Sequence, residues 1–224
     1  MTAIARMAML DLRTVAPYSS QGLLIFGAEI LLFANKPTVL LPVLVLLFTS
    51  TLTANPFNIA DKANLETLYA VLPLSRRSVV FGHYAWALAC FLATATVGAP
   101  LAVLFARAQH VPFDGRTLVT VLTLSWALFA LNVAIQFPLL IRLGYSRTNY
   151  LASVLPSVVV VGVVYRMHLN VPSVRSWLPL ILWVAGAVAI VASAAVTLAV
   201  DRKRVRYRPP AHDDRPGRQQ SADR

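Results

Sequence analysis

Residues 177–200 read WLPLILWVAGAVAIVASAAVTLAV, a stretch of 24 positions without one charged side chain. As a helix it would reach about 36 Å, more than the roughly 30 Å hydrocarbon layer of a bilayer. It is apolar and uninterrupted after Pro179. The stretch therefore specifies a membrane crossing, and the rest of the chain can be measured against it.

Upstream lie further apolar blocks of comparable kind. Residues 150–165 form a short one containing Pro156, and residues 118–141 a full one with Pro138 near its end. Residues 79–106 would span about 42 Å if wholly helical, which allows a tilt or a kink at Gly98-Ala99-Pro100. Residues 37–57 follow the short turn Asn35-Lys36. Residues 17–34 form the most diluted block, interrupted by Ser19, Ser20, Gln21 and Glu29. The expected fold is an all-α polytopic membrane protein with about six transmembrane helices in one domain, residues 1–200, and a basic tail, 201–224, too poor in apolar residues to fold alone.

Composition agrees. Of 224 residues, 58% are hydrophobic and 13% charged, half the charged share of a soluble domain. The net charge of +11 sits at block ends and in the tail. It does not form a groove interleaved with aromatics, so a nucleic-acid partner is not expected. With both termini cytoplasmic, 15 Lys and Arg fall on the inner side and 5 on the outer, the bias that the positive-inside rule requires.

Residues 1–15 place Ile4, Met7, Ala8, Leu12 and Val15 along one helical face, with Arg6 and Arg13 elsewhere, which predicts an N-terminal helix lying in the interface. Arg6, Asp11 and Arg13 interrupt the stretch too often for a cleavable signal. Cys90, the one cysteine, lies within an apolar block and reads as a packing residue. The four histidines fall in separate segments without H-E-x-x-H or neighbouring carboxylates, so no metal site is expected.

Between the second and third blocks, residues 64–73 read NLETLYAVLP, with Leu65, Leu68, Tyr69 and Leu72 at the i, i+3, i+4, i+7 positions of an amphipathic helix. Asp61 or Asn64 can cap its start, and Pro73 ends it. Ser75 can cap the next crossing, with Leu74 and Val79 as a hydrophobic staple. Such a helix, joined through a proline turn to a membrane span, can pass force from a partner into the bilayer. From the residues alone, a surface helix resting on lipid headgroups fits equally well.

The run 57–66, FNIADKANLE, followed by Leu72-Pro73-Leu74-Ser75-Arg76 and by Val79-Val80-Phe81-Gly82-His83-Tyr84, resembles small permeases of type 2 ABC transporters. Residues 137–147, FPLLIRLGYSR, are similar to the proline-led exit of the fourth helix in that family. The resemblance implies a multi-pass permease of a bacterial plasma membrane. It would pair with a second permease chain, like or unlike, and with cytoplasmic ABC ATPases that bind ATP and Mg; this chain itself needs no cofactor. It has no G-x-x-x-x-G-K-[ST] loop, and none of its lysines follows a glycine. The segment after the second crossing would then be the ATPase-coupling helix, with Leu65, Glu66, Leu68, Tyr69 and Leu72 as contact residues. Pro73, Ser75, Arg76 and Arg77 would form the hinge, the arginines binding anionic headgroups of membrane lipids. Where the family usually carries lysine after the glycine, this chain has His83, which weakens the expectation of a headgroup anchor there.

Three polar residues stand out within the apolar blocks. Glu29 is costly in a membrane unless it is functional or reaches interfacial water from its place five residues before Ala34. Asn132 and Gln136, one helical turn apart, form a polar stripe suited either to interhelical packing or to a substrate path. No nucleophile-base-acid set appears, so catalysis on this chain is not expected. The alternative to an ATP-driven exporter of amphiphiles is a stand-alone secondary transporter or channel.

Overall fold

A computed structural model describes residues 3–62, 76–143 and 177–206. Among these residues the chain is helical and has no strand. The elements are α1 (Ala3–Val15), a 3-10 turn (Ala16–Tyr18), α2 (Ser19–Phe33), α3 (Pro37–Lys62), α4 (Arg76–Ala108), α5 (Gly115–Leu143) and α6 (Leu178–Arg206). Within α3, Val45–Thr49 form a π-helical turn between two α-helical halves.

Four of these helices, α3 to α6, are long and apolar enough to cross a membrane. They coincide with the blocks read at 37–57, 79–106, 118–141 and 177–200. The block at 150–165 and the segment 64–73 lie outside the described residues. The block at 17–34 takes a different form from the straight crossing expected. Helix α2 has 15 residues, about 22 Å, and meets α1 at an 80° bend, so α1 and α2 make a broken span or a re-entrant pair.

Two further features concern the long helices. Helix α4 runs unbroken through Gly98-Ala99-Pro100. Gly98 serves packing there, because a Cβ at this position would lie 2.7 Å from Leu41 Cδ1 of α3. Helix α6 continues to Arg206, past the boundary at residue 200. No proline interrupts the sequence between Pro179 and Pro209, so nothing in the chain stops the helix at residue 200.

The core lies among α3, α4, α5 and α6. Phe91 of α4 stacks on Phe129 of α5 at 4.8 Å, and Phe137 meets the rings of both Phe57 and Tyr84 edge-on. Between α5 and α6, Gly186 admits Trp126, whose Nε1 lies 2.5 Å from where a Cβ would stand. The outward faces of α2 and α6, including Leu23, Leu24, Leu31, Leu32, Leu180 and Val191, are apolar and exposed, as suits helices bathed in lipid.

Candidate functional site

The wide turn of α3 organises the polar centre of the bundle. Pro42 cannot donate a helical hydrogen bond, and three residues later the backbone opens into the π turn Val45–Thr49. Carbonyls loosened by such a turn need other donors inside a membrane. Ser50 Oγ donates to the carbonyl of Leu46, and Thr51 Oγ1 donates to that of Leu47 at 2.9 Å.

Asn132 of α5 joins this turn. Its Nδ2 donates to Ser50 Oγ at 2.7 Å and to Gln136 Oε1 at 3.2 Å, while its Oδ1 is buried without a partner. Thr49 Oγ1 donates to Thr94 Oγ1 of α4 at 3.0 Å. On the other side of α5, Ser193 of α6 donates to the carbonyl of Ala134 and shares a 2.8 Å hydrogen bond with Tyr84 of α4. The polar stripe read from the sequence thus faces the interior and bridges helices. Asn132 and Gln136 are both almost wholly buried.

Glu29 is not part of this network. Its Oε2 is buried without a partner, and the nearby Phe26, Ile30 and Phe33 pack into a separate cluster with Leu40, Leu44 and Ala102. The three polar residues singled out in the sequence therefore divide into one linked pair and one isolated carboxyl.

A second polar contact joins residues far apart in the sequence. His83 Nδ1 lies 2.9 Å from Oδ2 of Asp11, and both side chains are buried. Phe57 of α3 packs on the imidazole at 4.6 Å between ring centroids. The buried face of α1 is Met7, Asp11 and Val15, whereas Leu12 is 48% exposed. The face expected for α1 is thus rotated: the helix is docked on α4, and Asp11, which interrupts the apolar period, is its central inward residue. Arg6 and Arg13 remain exposed. His83 is inward too and anchors a helix in place of a lipid headgroup. Its position after Gly82 was noticeable in the sequence, but nothing there linked it to residue 11.

Of the other expected site residues, Leu65, Glu66, Leu68, Tyr69, Leu72, Pro73 and Ser75 lie outside the described residues. Arg76 and Arg77 open α4, with Arg77 exposed. Lys62, the last residue of α3, and Arg76 bracket the segment between them. Among the described residues no cluster of metal-binding side chains occurs.

Long apolar helices locked together by hydroxyl and amide side chains, with apolar faces turned outward, define a polytopic helical membrane protein. The chain belongs to the ABC-2 family transporter proteins, whose family model matches residues 11–200. It is a membrane transporter permease. No curated protein and no solved structure matches it.

Proposed function

We propose that this chain is the membrane-spanning permease subunit of an ATP-driven exporter of amphiphilic substrates. A separate cytoplasmic ABC ATPase binds ATP and Mg and hydrolyses the nucleotide, and a second permease chain completes the path. The observation that carries the reading is the family match over residues 11–200, which takes in the bracketed segment 63–75 and both of its flanking helices. The absence of any phosphate-binding loop in the sequence agrees with hydrolysis on a partner.

In this reading the amphipathic run 64–73 is the coupling helix. Leu65, Glu66, Leu68, Tyr69 and Leu72 face the ATPase, and Pro73, Ser75, Arg76 and Arg77 form the hinge into α4. The membrane is a bacterial plasma membrane and both termini are cytoplasmic, the side favoured by the distribution of Lys and Arg.

The test is co-purification in mild detergent with the ATP-binding protein encoded nearest to this chain's gene, comparing wild type with Leu68→Asp. Retention by wild type and loss in the variant is the expected result. A folded wild type that holds no ATPase, and passes solute in liposomes without one, would replace this reading with the stand-alone transporter.

A further inference from the structure

Helix α1 meets α4 through three successive turns. Met7 sits on Gly82, where a Cβ would come within 2.5 Å of Met7 Cγ and 2.6 Å of its Cβ. Asp11 follows on His83, and Val15 clusters with Trp86 and Cys90. An apolar residue in place of Asp11 would have been enough for burial alone. A buried Asp–His contact adds desolvation cost and contributes register, because a slip of α1 along α4 would leave both groups without partners. Phe57 packs against the imidazole, so α3 takes part in the same contact.

The location gives this contact its meaning. Helix α3 ends at Lys62 and α4 begins at Arg76, so the clasp joins α1 to the two helices that flank the segment 63–75. His83 is two turns into α4, close enough to its start that motion there moves the clasp with it. The geometry points to Asp11 and His83 as positioning residues for energy coupling: they make α1 travel as one body with the start of α4, so that the N-terminal helix shares in carrying ATPase motion into the bundle. This rests on the proposed function above.

The test uses the permease with its ATPase in proteoliposomes and reads substrate exported per ATP hydrolysed. Asp11→Leu removes the contact that fixes the register of α1 on α4, so ATPase motion is shared less completely and that ratio should fall by about tenfold, an ordinary coupling effect. Asp11→Asn keeps an oxygen to accept from Nδ1 and should stay near wild type. A loss of packing alone would reduce the amount of complex and leave the ratio unchanged.

A second arm does not depend on the folding of Asp11→Leu. Met7→Cys with Gly82→Cys, in a Cys90→Ala background, places two Cβ atoms close enough for a disulfide after an outward shift of about 1 Å. If α1 and α4 move together, the oxidised protein exports as well as the reduced one. Export abolished by the disulfide, or an unchanged ratio in a folded Asp11→Leu, would overturn the clasp. A wild type that binds no ATPase would instead overturn the proposed function.

Discussion

Asn132 Nδ2 donates to Ser50 Oγ at 2.7 Å, and this one bond ties the middle of α5 to the residue that closes the π turn of α3. Ser50 Oγ donates onward to the carbonyl of Leu46, so the hydroxyl both receives from a neighbouring helix and covers its own backbone. Removing either member should therefore disturb the other. Ser50→Ala and Asn132→Ala are each expected to cost about 1–2 kcal/mol, with the double variant less damaging than the sum by ~0.5–1 kcal/mol. A double-mutant cycle on unfolding in detergent measures this, and simple additivity would show that the bond contributes nothing.

The glycines of the bundle should separate by what faces them. At Gly82 a new methyl meets the root of Met7, which cannot swing away without shifting α1. At Gly186 it meets the Trp126 indole, held by its own hydrogen bond to the carbonyl of Trp183. At Gly98 it meets Leu41 Cδ1, the far end of a flexible side chain, which can give way at less cost than an atom next to the backbone. Gly82→Ala and Gly186→Ala should destabilise by about 1–3 kcal/mol and Gly98→Ala by less. Gly27→Ala, which enters open space, should be neutral or gain up to ~1 kcal/mol from helix propensity. Thermal unfolding of the four variants in one detergent sets the order, and equal effects would refute the packing argument.

The same contacts explain what the sequence could and could not convey. Blocks such as 37–57 and 177–200 were legible because a bilayer demands some twenty apolar residues in a row, a requirement that any local window detects. The stripe Asn132–Gln136 was legible because i, i+4 spacing is also local. Its partner Ser50 was not, since a serine in an apolar block is common and its hydroxyl can bond its own helix. The orientation of α1 failed for a related reason. Periodicity turns a carboxylate outward unless a partner is known, and the partner of Asp11 is 72 positions away. The bend before α2 and the π turn after Pro42 likewise depend on how helices meet, which no count of apolar residues contains.

Asp114 caps α5. Its Oδ1 accepts from the Thr117 hydroxyl at 2.6 Å and from the Thr117 backbone N–H at 2.8 Å, and these bonds hold its carboxyl below the usual carboxylate range. A depressed folded-state value means that the stabilisation is complete above the ordinary value of 3.8 and fades as pH falls through the lower folded one. The stability gap between wild type and Asp114→Ala should thus be constant near neutrality and shrink on acidification below that value. Amide exchange at the first turn of α5, followed against pH in both proteins, reads the gap locally. A gap that widens in acid would contradict the capping geometry.

Trp126 of α5 and Trp183 of α6 stack with ring centroids 4.7 Å apart and planes 12° from parallel. Each indole N–H is also used: Trp126 Nε1 donates to the carbonyl of Trp183 at 3.1 Å, and Trp183 Nε1 donates to Thr123 Oγ1 at 3.3 Å. Stacked indoles held this rigidly should couple their transitions and give a strong near-UV circular dichroism signal. Trp183→Phe keeps a ring on Trp126 but loses the bond to Thr123 and the indole pair. It should abolish the coupled signal while costing only about 1–2 kcal/mol, the sum of a weakened ring contact and one hydrogen bond. Trp183→Leu removes the ring contact as well and should cost more. Heating each variant in detergent while following the aromatic signal tests both statements, because a signal that survives Trp183→Phe would have to arise from some other pair of rings.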